Sequence, residues 1–197
     1  MIEILKNFNE TGLSALNGLA QYSIIKDIAI IFADAPIFLL PIFLLSFWII
    51  HNKKGETSKK ENMLYIVYSV IMAISINLIL QKLVHIERPE AFLHNAGHFL
   101  LNHIPDASFP SDHAAVSSSF ITALFLLGYK KPAYFMLPFF VIMLISRVIA
   151  GVHWPLDIIG GIIVGITSGF TIFKFRNFFI FKKINKCIIK IASFIKL

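Results

Sequence analysis

The chain has 197 residues, of which 57% are apolar, 14% aromatic and only 15% charged, with a mean hydropathy of +0.76. A water-soluble domain carries about 45–50% apolar and about 25% charged residues, so this composition excludes an aqueous globule, a disordered chain and a disulfide-stapled secreted module. At about 20 residues per helical crossing the length suits one domain of five or six transmembrane helices, an all-α polytopic membrane bundle.

In chain order, the first 23 residues are interrupted by Lys6, Asn7, Asn9, Glu10 and Asn17, a pattern unlike the apolar centre of a cleavable leader. Residues 12–32 are semi-apolar and read as an interfacial N-terminal helix rather than an upstream extension of the first span. Five apolar runs follow, at 33–50, 62–83, 111–129, 133–150 and 155–175. Pro36 and Pro41 bend the first. The third opens on small residues, Ala114, Ala115, Ser117, Ser118 and Ser119. The tail, 178–197, alternates Ile and Phe with Lys, as an interfacial or final short helix does when its lysines reach toward lipid head groups. The single cysteine, Cys187, rules out an intrachain disulfide or thiolate cluster.

The formal net charge is +7, and its distribution points to a membrane rather than to nucleic acid. If the five runs alternate across the bilayer, the loop after the first, the turn between the third and fourth and the tail after the fifth share one side. These segments hold 13 of the 18 basic residues. The positive-inside rule assigns them to the cytoplasm, so the segments at 84–110 and 151–154 face outward.

An ionisable residue near a span is a functional-site candidate. Most of those outside the lysine-rich segments fall in three stretches: Lys82 to Pro89, Pro110 to His113 and Ser146 to Asp157. The alternation brings all three to one end of the bundle. Arg88, Arg147, Lys82, Ser111 and the start of a helix compose an anion site, because guanidinium forks and free first-turn N–H groups both suit phosphate oxygens. Ser108 or Ser111 would cap that helix. Gly151 ends the fourth helix and Pro155 opens the fifth, which leaves His153 on the tight connection between them. Asp157 lies close enough to hold the His153 ring and leave Nε2 free to attack; His113 is then the acid for the leaving group. Asp112, in the first turn, suits the helix dipole but would repel a diphosphate, so it points away from the anion or toward Arg88.

Residues 90–109 carry His94, His98 and His103 among apolar side chains. His94 and His98 have a spacing compatible with a metal, but no further ligand completes a site, and an interfacial segment is the preferred reading.

Together these stretches resemble the type 2 phosphatidic acid phosphatase superfamily. Its pattern is Lys, six residues, Arg-Pro; then Pro-Ser-Gly-His; then Ser-Arg, five residues, His, three residues, Asp. The third part is met in full from Ser146 to Asp157. The second is met at Pro110, Ser111 and His113, with Asp112 in the glycine position. The first has Arg88-Pro89, with Lys82 one residue too near and Gln81 in the lysine position. Ala107 to His113 (Ala-Ser-Phe-Pro-Ser-Asp-His) is similar to the branch of small bacterial undecaprenyl pyrophosphate phosphatases associated with bacitracin resistance. The resemblance implies a six-helix bundle in the bacterial plasma membrane, hydrolysis without a metal or cofactor, and a phosphohistidine formed on His153. Its implied partners are a polyprenyl diphosphate substrate and membrane lipids, with no nucleic acid. The alternatives are a phosphatase for phosphatidylglycerophosphate or phosphatidic acid, and a non-catalytic lipid-binding or transport protein.

Overall fold

A computed structural model describes residues 2–53, 56–93, 97–98, 100–101 and 107–194. The described chain is helical: α1 (Ile2–Asn17), α2 (Ser23–Phe32), α3 (Leu39–Lys53), α4 (Thr57–Leu83), α5 (Glu90–Leu93), α6 (Asp112–Leu126), α7 (Lys130–Ile149), α8 (Pro155–Phe175) and α9 (Phe179–Phe194). Among the described residues, four stretches are long and apolar enough to cross a membrane: Ser23–Asn52, Thr57–Leu83, Lys130–Ile149 and Pro155–Phe175. Their outward faces carry bare apolar side chains such as Ile71, Leu78, Ile79, Ile163 and Phe170. So much exposed apolar surface is a liability in water and matches lipid tails. The chain is a multi-pass membrane protein.

The third apolar run forms the shorter α6, 15 residues or about 22 Å. It nevertheless runs the depth of the bundle. Asp112, at its first turn, bonds Asn77 near the end of α4, while Tyr129, just past its last turn, bonds Asn62 near the start of α4. Helix α6 is thus antiparallel to α4 and enclosed by α4, α7 and α8. Its Phe120 is fully buried and meets Phe43 of α3 and Phe140 of α7 edge to face. Small residues belong here because the most central helix has no lipid face to fill.

Helix α8 answers with glycines one turn apart. A Cβ on Gly161 would lie 2.5 Å from the Ser111 carbonyl and 2.7 Å from Ala114 Cβ; one on Gly165 would lie 2.7 Å from the Ser119 nitrogen. Without a hydrophobic drive between helices in lipid, such close backbone packing carries association. Gly165→Leu is therefore expected to destabilise the fold by about 1–3 kcal/mol or more through overpacking. A lower unfolding temperature in detergent, with reduced activity as α6 and α8 part, is the check.

The first apolar run is not one bent helix. It breaks at the 3-10 turn Ala35–Phe38, where Pro36 is buried, and Pro41 falls in the first turn of α3, where a missing N–H costs nothing. Upstream, α2 packs against the end of α7, with Ala29 against Ile149. Helix α1 lies over the α7–α8 connection: Asn9 accepts from the Leu156 N–H, and buried Asn17 donates to the carbonyls of Ile149 and His98. Residues 12–32 therefore divide. The α1 portion caps the bundle end, whereas Ser23–Phe32 joins the first candidate span. At the opposite end α9 packs on α4, with Tyr68 donating to Asn185 and Phe181 against Tyr65 and Tyr68. The starts of α4 and α7 and the end of α8, all lysine-bearing, lie at this end too.

Candidate active site

The connection from α7 to α8 is set by backbone chemistry. Ala150 ends α7, Gly151 turns with φ +78°, the Gly151 N–H reaches the Val148 carbonyl and the Val152 N–H reaches that of Arg147. This is a Schellman closure, and its left-handed residue favours glycine. A side chain at Gly151 would also strike Leu93. Trp154 is the N-cap of α8 and Pro155 opens it, so His153 is fixed between two helix ends.

Asp157, in the first turn of α8, is buried, and its Oδ2 gathers three groups. It accepts the Trp154 N–H at 2.8 Å, accepts the Ser108 hydroxyl, and lies 3.3 Å from His153 Nδ1. With Nδ1 turned to the carboxylate, His153 presents Nε2 to Arg88, 3.5 Å from Nη1. Arg88 itself donates to the Val152 carbonyl at 2.7 Å. Its strand of chain is held by the Ser108 N–H on the Ile86 carbonyl and by the Trp154 indole on the Glu87 carbonyl.

The other histidine has a matching arrangement. His113 Nε2 lies 3.3 Å from Arg147 Nη1. Arg147 is almost wholly buried, and its Nε has no protein partner. Arg147 and Arg88 are near enough to repel each other. Ser111 is fully buried with its hydroxyl unpartnered, while its N–H donates to the Asp157 carbonyl. Like charges and orphaned donors converging beside two imidazoles leave unmet demand for an anion's oxygens.

Of the residues expected from sequence, His113, His153, Asp157, Arg88, Arg147 and Ser111 all stand at this one end. Lys82 does not join them. Gln81 faces α6, donating to the Pro110 carbonyl and to Asp112, whereas Lys82, about 100° further round α4, is exposed. Asp112 contacts neither arginine's fork. Its Oδ1 accepts from Asn77 at 2.7 Å and Gln81 at 3.2 Å, which ties the start of α6 to α4 and turns the carboxylate from the anion space. Neither serine caps α6 as expected: Ser111 occupies the N-cap without a side-chain bond, and Ser108 serves Asp157. Of the histidines in 90–109, His98 is exposed and held through its backbone by Asn17; His94 and His103 lie outside the described residues.

One participant escaped the sequence reading. Asp34, between α2 and the 3-10 turn, places Oδ1 2.5 Å from Arg147 Nη1 and 3.0 Å from His113 Nε2. Arg147 Nη1 also donates to the Ala33 carbonyl at 3.1 Å. An acid at the mouth of an otherwise apolar run was the available signal.

The chain and its fold are similar to known proteins. The chain is 30% identical over 164 residues to the undecaprenyl-diphosphatase BcrC of Bacillus subtilis (strain 168), covering 83% of this chain and 81% of that protein. The crystal structure of Aquifex aeolicus LpxE superposes with a TM-score of 0.64 at 22% identity, covering 84% of this chain and 94% of that one. The PAP2-type phosphatidylglycerolphosphate phosphatase of Bacillus subtilis gives a TM-score of 0.56, also at 22% identity, over 84% and 85% of the two chains. The PAP2 superfamily pattern matches residues 62–181, a span that holds Arg88, Ser111, His113, Arg147, His153 and Asp157. This chain belongs to the PAP2 superfamily of membrane phosphatases.

Proposed function

We propose that this protein is an undecaprenyl-diphosphate phosphatase that releases inorganic phosphate from the carrier lipid at the extracytoplasmic face of the bacterial plasma membrane. The observation that carries the reading is that each of two histidines turns Nε2 toward an arginine at one end of the bundle. His153 Nε2 attacks the terminal phosphorus. The bond to the bridging oxygen breaks, and His113 protonates that oxygen as the lipid phosphate departs. Water then attacks the phosphohistidine, His113 takes its proton, the P–N bond breaks and phosphate leaves. Arg88, Arg147, Ser111 and the first-turn amides of α6 carry the charge on the equatorial oxygens, which is the main task in phosphoryl transfer. These residues do the work without a metal or cofactor.

The polyprenyl substrate is supported by the BcrC similarity and by the lipid-facing surface. Two apolar cavities, of about 220 and 300 Å³, share Val141, Leu144 and Ile162. They line the α7–α8 face from Val148 and Pro155, beside Arg147 and His153, toward the middle of the bundle, where an isoprenoid chain would lie. The extracytoplasmic assignment rests on the lysines at the opposite end.

The test is phosphate release by the purified protein from undecaprenyl diphosphate, compared with phosphatidylglycerophosphate and phosphatidic acid. The expected result is a kcat/KM at least about tenfold higher on the diphosphate, unaffected by EDTA and inhibited by vanadate. Preference for a glycerophospholipid phosphate would reassign the substrate, and loss on chelation would overturn the metal-free mechanism.

A further inference from the structure

The reaction described above uses one carboxylate, Asp157, for one histidine, His153. A second carboxylate stands against the second histidine. Asp34 Oδ1 is 3.0 Å from His113 Nε2 and 2.5 Å from Arg147 Nη1, so one oxygen joins the proposed acid to a phosphate-binding guanidinium. The acid histidine needs such a neighbour. An imidazolium with a guanidinium 3.3 Å away is repelled by it, and the other acid acting on His113 among the described residues, Asp112, has its Oδ1 committed to Asn77 and Gln81. Coulomb repulsion at that distance in a half-buried site is large enough to expel the proton unless a carboxylate offsets it.

The placement of Asp34 is also built rather than incidental. It sits at the break between α2 and the Ala35–Phe38 turn, whose Pro36 is buried, and the preceding carbonyl, that of Ala33, receives a second bond from the same Arg147 nitrogen. Arg147 is thereby clamped by two consecutive residues. The Asp34 side chain is 54% exposed, whereas Arg147 is 2% and His113 22% exposed. The carboxylate therefore stands at the mouth of the site, on the open side of both partners.

We infer that Asp34 is a positioning residue for the phosphatase reaction: its carboxylate aims Arg147 and offsets the guanidinium's charge at His113 Nε2, favouring the proton-donating form of His113. The inference rests on the function proposed above. It assigns the N-terminal part of the chain, which lies outside the matched span 62–181, a part in the chemistry.

Asp34→Asn removes the charge and keeps an oxygen for Arg147, and Asp34→Glu keeps the charge on a longer arm. With undecaprenyl diphosphate, Asp34→Asn is expected to lower kcat about 10–100-fold, part of what a general acid contributes, with KM within about threefold of wild type. Asp34→Glu is expected to recover most of the loss. Undiminished kcat in Asp34→Asn would overturn the inference. So would a change confined to KM, which would make Asp34 a mere occupant of the anion's seat. A glutamate variant as impaired as the asparagine one would also overturn it, since a purely structural ion pair would then account for both. If the wild-type protein releases no phosphate from any lipid phosphate, it is the proposed function that fails, and the two failures remain distinct.

Discussion

His153→Ala is expected to abolish phosphate release, lowering kcat by about 10⁴–10⁶-fold, the range seen when a nucleophile is removed from a concerted site. The geometry makes this specific to chemistry rather than folding. The connection that carries His153 is closed by backbone bonds at Gly151, Val152 and the Trp154 carbonyl that do not involve the imidazole. Asp157 retains the Ser108 hydroxyl and the Trp154 N–H when the ring is gone. The unfolding temperature in detergent should therefore change by only a few degrees. Rapid quench after mixing with labelled diphosphate is expected to show an acid-labile phosphoprotein in the wild type and none in the variant. Turnover near the wild-type level would refute the nucleophile assignment.

The second large effect concerns Asp157, and two substitutions there should separate charge from structure. All three of its contacts fall on Oδ2, so Asp157→Asn can keep an acceptor oxygen in place for Trp154 and Ser108 while losing the negative charge. A carboxylate beside an attacking imidazole stabilises the positive charge that develops on it. Its neutralisation is expected to cost about 10²–10⁴-fold in kcat with the fold intact. Asp157→Ala strips the acceptor as well and leaves the Ser108 hydroxyl and the Trp154 N–H buried without it. That adds a destabilisation of about 1–3 kcal/mol. Parallel kcat and thermal-unfolding measurements decide the matter. A catalytically unimpaired Asp157→Asn would show that Asp157 serves only to tie the Ser108 segment to α8.

The membrane class, the helical runs and most of the candidate site were legible because each rests on local chemistry. Long apolar runs can satisfy backbone polar groups in lipid only as helices. Gly151 and Pro155 terminate and start helices through their own backbone preferences, whatever surrounds them. The spacing from Ser146 to Asp157 lies within one helix end, one turn and one helix start, so its geometry is nearly independent of the remaining fold. Arg88 and His113 were found because charges beside apolar runs are costly and hence conspicuous.

What the sequence by itself determined, then, was an all-helical membrane chain with two histidines, two arginines and Asp157 destined for one end. Tertiary structure alone decided which neighbours those groups would have. Asp112 could have met an arginine or turned away; the rotation of α4 gave it Asn77 and Gln81, and the same rotation left Lys82 exposed. Ser108 serves Asp157, 49 residues away, instead of capping α6. Asp34 reaches Arg147, 113 residues away, from the break between α2 and the Ala35–Phe38 turn. Side-chain partners across such separations depend on helix rotation and on packing at the glycine face of α8. These are settled by shape complementarity summed over many contacts, which no local pattern encodes.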